Sequence, residues 1–136
     1  MKVFLGFGKN RKMMESVQEA LRDAGCEVVV LEDCADHSQT VIEKLEEFGT
    51  VDKAVMICSG DDNIKPWGSR ITKKYPRQNV VFEIGYFAAK LGRHNVVIVT
   101  DSKDRLSLLS DFNVCHLTMD RKGRWRAKLM QSIAVR

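Results

Sequence analysis

Apolar residues recur along this chain with two different spacings, and the alternation between the spacings predicts the order of its elements. Uninterrupted apolar or β-branched runs are typical of strands that are buried in a sheet, whereas apolar residues every three or four positions indicate helices that pack on one face. The runs predict strands at residues 3–7, 28–31, 53–58, 96–100 and 114–118, the second of them buried on both faces. The helical spacing predicts helices between Asn10 and Gly25 and at residues 40–48, 77–92, 106–112 and 125–135.

Glycine follows three of these helices, at Gly25, Gly49 and Gly92, and a strand begins within a few residues of each. Glycine readily takes the left-handed conformation that ends many helices. Strands that alternate with helices through such short links form βαβ units, in which the strands are parallel. We therefore predict an α/β fold, a flavodoxin-like three-layer sandwich with a central five-stranded parallel sheet.

Length and composition indicate one ordinary globular domain. The chain has 136 residues, of which 44% are hydrophobic and 29% are charged, and this fits a single domain. No apolar run approaches the roughly 18 residues of a membrane-spanning helix, and no signal peptide is evident. The net charge of +4 suits an anionic ligand but is too small and too scattered to predict a nucleic-acid partner. We expect no membrane association within this chain and a cytoplasmic location.

The four cysteines do not predict a metal site. They form no C-x-x-C pair and show no spacing typical of metal ligands. Cys58 and Cys115 lie in strand-like runs, where a reduced cysteine behaves as a small hydrophobe. We predict neither a metal ion nor a disulfide.

The turn after the first strand is a candidate phosphate-binding loop. Ligands bind at the carboxyl ends of the strands in an open parallel sheet. Gly6-Phe7-Gly8 at that edge would let a phosphate approach the backbone, with a helix N-terminus behind it and with Lys9 and Arg11 beside it. The third glycine of the G-x-G-x-x-G fingerprint is absent, because that position holds Arg11. From the residues alone, a tight strand-to-helix turn without a ligand is the favoured interpretation of this pattern.

Residues 59–75, after the third predicted strand, read as a long loop that has either a function or high mobility. Trp67 is suited to stack on a base, and Arg77 just beyond the loop is suited to meet a phosphate. The paired Asp61 and Asp62 would bind a ribose hydroxyl or cap the loop through Asx turns, and we expect the capping role for at least one of them. A solvated loop is the alternative.

The helix at 77–92 carries the strongest candidate for chemistry. Its apolar stripe encloses one acid, Glu83, between Phe82 and Ile84, and Asn79 lies one turn earlier on the same face. A carboxylate in the first turns of a helix at this sheet edge can stabilise the positive charge that develops when a glycosidic bond breaks. Most glutamates on helices are solvated surface residues, and this alternative stays open at the level of sequence.

Several segments together resemble the predicted nucleotide-binding TIR-like family of bacteria, which provides effectors of cyclic-nucleotide antiphage defence of the TIR–STING and Pycsar types. They are VFLGFGKNRK, EVVVLED, TVIEKLEEF, KAVMICSGDD and RQNVVFEIGYFAAKLG, and the resemblance extends from residue 1 to about residue 118. The string RQNVVFEIGYF is its most specific part. Members of the wider TIR class cleave NAD+, so the resemblance implies the TIR fold and this activity.

The resemblance also implies roles for individual residues. The catalytic glutamate of the class matches Glu83, while Asn79 stands where some TIR enzymes have the tryptophan of a W-x-x-x-E pattern. Positions that line the family's nucleotide pocket match Phe7, Gly8, Lys9 and the Asp61-Asp62 pair. Nothing is transferred to residues 67–74, where the family varies in length.

We therefore expect an NAD+ glycohydrolase that acts in antiphage signalling, with NAD+ as substrate and no cofactor. The phosphates would lie near residues 8–11 and the nicotinamide ribose beside Glu83, the catalytic residue. The expected substrate-binding residues are Phe7, Gly8, Lys9, Arg11, Asp62, Arg77 and Asn79. Two alternatives are a nucleoside 2-deoxyribosyltransferase-like enzyme, which also carries a glutamate before Ile/Leu-Gly-Tyr, and a non-catalytic TIR module that binds a nucleotide or self-associates.

The resemblance further implies partners. TIR enzymes commonly act after self-association into oligomers or filaments, because neighbouring subunits can complete the pocket. Residues 1–136 would form one TIR-like domain, a fragment of a longer effector in which a cyclic-nucleotide sensor domain accompanies it. This expectation rests on the family and on a last predicted helix that reaches almost to Arg136.

Overall fold

A parallel sheet forms the centre of the molecule. The structure is a computed structural model that describes residues 1–33, 38–101 and 114–134. The strands of these ranges are β1 (Lys2–Gly6), β2 (Glu27–Val29), β3 (Lys53–Cys58), β4 (Asp62–Ile64), β5 (Lys73–Tyr75), β6 (Val96–Asp101) and β7 (Cys115–Met119). Five of them form the parallel sheet in the order β2-β1-β3-β6-β7, which confirms the predicted α/β fold.

Helices cover both faces of this sheet. The helices of the described ranges are α1 (Arg11–Asp23), α2 (Val41–Phe48), α3 (Gln78–Leu91) and α4 (Trp125–Ala134). On one face, Val17 of α1 and Leu129 of α4 are buried in a common core. On the other face, Leu45 of α2 and Phe87 of α3 are buried in a second core. All six residues of β3 are buried, as expected for a central strand that is covered on both sides.

Local signals in the sequence account for the helix ends. The Asn10 side chain accepts a hydrogen bond from the Met13 amide at 3.1 Å and thereby caps α1. Thr40 and Glu43 exchange the reciprocal bonds of a capping box at the start of α2. Gly92 ends α3 with φ +88°, a conformation that glycine adopts without a steric penalty. The stripe of α3 is buried at its central positions, as its spacing predicts.

The prediction for the second strand was wrong in one respect. Among the described strands, β2 is an edge strand that pairs with β1 alone, and its three residues are exposed or half-buried. The following residue, Val30, is buried, and Leu31 already begins a single 3-10 turn, Leu31–Asp33. The β-branched run resembles a central strand because composition does not encode how many neighbours a strand has.

The prediction of a structureless loop at 59–75 was also wrong. The segment forms an antiparallel hairpin in which β4 pairs with β5 and Ile64 lies opposite Lys73. The Ser69 amide bonds to the Pro66 carbonyl at 2.9 Å, and Gly68 has φ +79°, so these residues make the turn. The strands DNI and KKY are short and polar, which explains why hydrophobic patterning does not reveal them.

The remaining boundaries differ from prediction by a residue or two. β7 begins and ends one residue later than predicted, and α4 is described to Ala134. The helix predicted at 106–112 lies outside the described residues. Among the helices that the structure describes, none combines the length and the apolar character that a membrane span requires.

Candidate functional site

The carboxyl ends of β1 and β3 mark the point where the strand order reverses. The chain leaves β1 toward β2 on one side, and it leaves β3 toward β6 on the other. Gly6, the last residue of β1, is in register with Met56 of β3. The connections diverge at this edge, so a crevice opens between them, and ligands of open α/β sheets bind in such crevices.

A cavity of about 230 Å³ occupies this crevice. Its lining comes from the end of β1, the segment after β2, the start of α2 and the start of α3, and consists of Phe4, Leu5, Gly6, Phe7, Gly8, Val30, Leu31, Glu32, Val41, Lys44, Asn79 and Glu83. Pockets that enclose a whole drug-sized ligand measure roughly 300–1,000 Å³. The cavity therefore matches a nucleoside-sized group better than a complete dinucleotide.

Glu83 lies at the inner wall of this cavity. Only 4% of the residue's surface is exposed. One of its carboxylate oxygens rests against the backbone of Gly6, where an added Cβ would be 2.6 Å from Oε2 and 2.3 Å from the terminal methyl of Met56. Any side chain at position 6 would collide with both groups, so glycine there makes room for the carboxylate at the end of β1.

Burial raises the pKa of the Glu83 carboxyl to about 7, and a hydrogen bond with the Asn79 side chain partly opposes this shift. A charged carboxylate loses favourable hydration when it is buried, whereas a donated hydrogen bond stabilises the charged form. The carboxyl therefore gains or loses its proton near neutral pH. Strongly shifted acids in clefts are typical of functional sites.

Asp61 connects the two segments that frame the cavity. Its carboxylate accepts hydrogen bonds from the Lys9 amide at 3.1 Å and from the Arg77 amide at 3.3 Å. It also accepts one from the Ser59 hydroxyl at 2.6 Å. A Cβ on Gly8 would lie 1.9 Å from Asp61 Oδ2, so the glycine permits this approach. Asp61 thus ties the loop after β1 to the N-terminus of α3.

We expect Asp61→Ala to lower the free energy of unfolding by about 1–3 kcal/mol, because three donors lose their acceptor. Asp62→Ala is the matched control, since the Asp62 carboxylate makes none of these three hydrogen bonds. Asp62 is instead the first residue of β4. Urea denaturation of both variants gives the comparison. Equal destabilisation of the two variants would contradict the role of Asp61 as the connection.

One residue of the cavity lining, Glu32, takes part in an ion pair. The Arg11 guanidinium forms an ion pair with Glu32 and lies 5.5 Å from the centre of the Phe7 ring. The hydrogen bond with Glu32 raises the pKa of Arg11 above its usual value. An anionic ligand beside Glu32 would therefore compete with the Glu32 carboxylate for the positive charge of Arg11.

The structure brings half of the predicted site residues together. Phe7, Gly8, Asn79 and Glu83 line the cavity, whereas the lining within the described ranges does not include the other four: Lys9, Arg11, Asp62 and Arg77. The backbone amides of Lys9 and Arg77 bond to Asp61 instead. Trp67 is fully exposed and is likewise not part of this lining.

Sequence reasoning missed part of the lining. Glu32, Val41 and Lys44 line the cavity but were not among the expected substrate-binding residues. Val41 and Lys44 are three residues apart and therefore share one side of α2, a spacing that could have suggested a common surface. Gly6 was part of the candidate phosphate-binding loop, but its contact with the Glu83 carboxylate was not expected.

This arrangement offers carboxylate chemistry in a partly enclosed space. A buried carboxylate can stabilise a developing cation or carry a proton there, because low polarity strengthens its interactions. Cys58 offers no nucleophile at neutral pH, since burial raises the pKa of its thiol to about 12. Within residues 1–33, 38–101 and 114–134, no three histidine, cysteine or acidic side chains are grouped as metal ligands would be.

Comparison with solved structures shows the same fold elsewhere. The CMP N-glycosidase BcmB of Clostridium botulinum superposes with a TM-score of 0.57 and 16% sequence identity, over 96% of this chain and 99% of that chain. At this level of identity the similarity concerns the fold.

Three curated relatives match in sequence. The uncharacterized protein YuaY of Escherichia coli K12 is 35% identical over 135 residues, which are 98% of this chain and 44% of that protein. Protein tirC of Dictyostelium discoideum is 36% identical over 73% of this chain and 52% of its own length. The Pycsar effector protein PaPycTIR of Pseudomonas aeruginosa is 37% identical over 54% of this chain and 24% of its own length. The chain thus spans about half or less of the length of these relatives.

A match to a known protein family covers most of the chain. The sequence model of the family described as CAP12/Pycsar effector protein, TIR domain, matches residues 2–118. This range includes all of the cavity residues named above, from Phe4 to Glu83. The chain therefore belongs to the TIR-domain family of CAP12/Pycsar effector proteins.

Proposed function

We propose that this domain is an NAD+ glycohydrolase, which cleaves the bond between nicotinamide and ribose. The observation that carries the proposal is the position of Glu83, buried in the inner wall of the cavity at the strand-order reversal. The family supports an effector role, and NAD+ is a substrate whose cleavage requires little more than such a carboxylate. We also propose that the domain acts in bacterial antiphage signalling.

The chemistry needs no acid to assist the leaving group. The ring nitrogen of nicotinamide is cationic in NAD+, so nicotinamide departs as a neutral molecule and takes the bonding electron pair with it. The Glu83 carboxylate stabilises the positive charge that develops on the ribose carbon C1′. Water then forms the new C1′–O bond and releases a proton. Asn79, which forms a hydrogen bond with Glu83, would orient a ribose hydroxyl.

The size of the cavity supports a binding mode in which it encloses only part of NAD+. A space of about 230 Å³ accommodates the nicotinamide ribose, while the phosphates would extend toward the loop of Lys9 and Arg11. The adenosine half would then lie outside the cavity. We propose that self-association encloses this half and that a cyclic-nucleotide sensor domain, joined to this domain in a longer effector, triggers the association.

The nucleoside-sized cavity also favours a second candidate, an enzyme that acts on a nucleoside or nucleoside monophosphate. Transfer of deoxyribose between bases is one version, and release of cytosine from CMP is another. These reactions break the same type of N-glycosidic bond. Their products differ from those of NAD+ cleavage, so one assay separates them.

The test is a substrate panel at high protein concentration, with the free chain and with a fusion to an oligomerising protein. NAD+, CMP, and a deoxynucleoside supplied with a free base are incubated separately, and the products are resolved by chromatography. We expect nicotinamide from NAD+ alone. Cytosine from CMP, or base exchange, would replace NAD+ hydrolysis as the function. Binding of NAD+ without products in either form would favour a non-catalytic TIR module.

A further inference from the structure

The β4–β5 hairpin exposes several large apolar side chains. It forms its own two-stranded sheet, separate from the central sheet within the described ranges. Trp67 is fully exposed, Ile71 is 69% exposed and Ile64 is about half exposed. A lone hairpin is at best marginally stable in water, and clustered exposed apolar residues mark interaction sites.

Basic residues accompany these apolar side chains. Lys65, Arg70 and Lys73 are exposed on the same hairpin, and Lys73 lies directly opposite Ile64 in the strand register. We call Ile64, Lys65, Trp67, Arg70, Ile71 and Lys73 the hairpin surface. A tryptophan flanked by cations is typical of the centre of a protein interface.

The outer side of α2 has the complementary composition. Ile42 is 46% exposed, and Glu43, Glu46 and Glu47 are exposed with it. Ile42 and Glu46 are four residues apart, as are Glu43 and Glu47, so the four side chains form one continuous patch on the helix. We call this patch the α2 face.

We infer that the hairpin surface of one copy of this chain binds the α2 face of a second copy. Trp67 and Ile71 would cover Ile42, while the cations of the hairpin would meet the acidic residues of α2. Such complementarity of charge sets partner choice and orientation. The exposure and the opposite charges of these two described surfaces support the contact. The contact would form whether or not the domain turns over a substrate.

The two surfaces consist of different residues, so the contact can form in two ways. If two copies form it reciprocally, with each hairpin on the α2 face of the other copy, a symmetric dimer results. If each hairpin binds a new copy, every copy that joins leaves one hairpin surface and one α2 face unoccupied, and a ring or an open filament grows. This names a surface for the self-association proposed above.

The interface would also border the cavity. Val41, the neighbour of Ile42, is exposed and belongs to the cavity lining. A hairpin docked on α2 would thus lie beside the opening through which a ligand reaches Glu83. An anionic membrane or a nucleic acid could attract the same cations, but it would leave the acidic α2 face unexplained.

Mixing two defective variants provides the test. Trp67→Ser with Lys73→Glu removes the hairpin surface, and Ile42→Ser with Glu46→Lys removes the α2 face. We expect the mass of the wild-type chain, measured by sedimentation, to rise with concentration to the dimer or beyond and to fall with added salt. Each variant alone should stay monomeric. An equimolar mixture should stop at twice the monomer mass, because only one intact pair of surfaces remains.

Several results would overturn the inference. One is a wild-type chain that stays monomeric at millimolar concentration. Another is a variant that assembles like the wild type. The third is a mixture that stays monomeric although circular dichroism shows both variants to be folded. Loss of binding to phosphatidylglycerol vesicles in the hairpin variant, with unchanged mass, would assign the hairpin to a membrane instead. The single reversals Lys73→Glu and Glu46→Lys repeat the test if a double variant does not fold. Because the readout is mass, failure here leaves the proposed activity untouched.

Discussion

Glu83→Gln is expected to lower the turnover number for NAD+ about a hundred- to a thousandfold while it changes KM little. Glutamine has nearly the size of glutamate and retains a hydrogen-bonding partner for Asn79, but it carries no negative charge. The lost interaction is therefore one that forms with the developing ribosyl cation, and the loss of such a group reduces kcat rather than substrate binding. Initial rates over a range of NAD+ concentrations separate the two constants.

The matched control is Glu19→Gln. Glu19 is exposed on α1 and is not part of the cavity lining, so the same chemical change should leave both constants unaltered. An equal loss in the two variants would mean that the effect is not specific to the cavity. A Glu83→Gln enzyme with a raised KM and an unchanged kcat would give Glu83 a role in binding only.

The rate of NAD+ cleavage is expected to increase roughly thirtyfold between pH 5.5 and pH 8.5, because a group with a pKa of about 7 is only a few per cent ionised at the lower pH. The increase should level off above the pKa, where Glu83 is fully charged. Asn79→Ala should move the midpoint to higher pH, since the Asn79 hydrogen bond lowers the pKa of Glu83. A rate that is independent of pH over this range would contradict the assignment of Glu83 as the working carboxylate.

The same ionisation should change stability in the opposite direction. The carboxyl has a pKa of about 7 when folded and 4.5 when unfolded, so the folded state binds more protons between these values and the free energy of unfolding falls as pH rises. This difference in pKa corresponds to about 3 kcal/mol, which is lost as the pH rises through about 7. Glutamine at position 83 stays neutral at every pH, so Glu83→Gln should not lose this stability as the pH rises, and the variant should become more stable than the wild type at pH 8. Urea denaturation at pH 5 and pH 8 measures the difference.

Much of the fold is predictable because it follows local rules. The buried apolar run of β3 predicts its strand without error, and the stripe of α3 with Gly92 predicts both the helix and its end. Properties that depend on contacts with neighbouring elements are harder to predict from the sequence. The run at Val28 does not reveal that β2 lies at the edge of the sheet, and the polar strands of the hairpin give no periodic signal.

The candidate site depends still more on distant contacts. The sequence places Glu83 between two apolar residues, yet Phe82 is about half exposed, so flanking hydrophobicity alone does not imply burial. Glu83 is buried because α3 packs where β1 ends in Gly6, a contact between residues far apart in the chain. The choice between Asp61 and Asp62 likewise follows from the amides of Lys9 and Arg77, which only the fold brings to Asp61.

The most direct test of the proposed mechanism measures nicotinamide released from NAD+ at pH 8 by the oligomerising fusion. The wild type, Glu83→Gln and Glu19→Gln are compared at equal concentration, after circular dichroism shows that all three are folded. The mechanism predicts nicotinamide from the wild type and from Glu19→Gln and almost none from Glu83→Gln. Release by Glu83→Gln at the wild-type rate would contradict the central claim that the buried carboxylate at the strand-order reversal performs the chemistry.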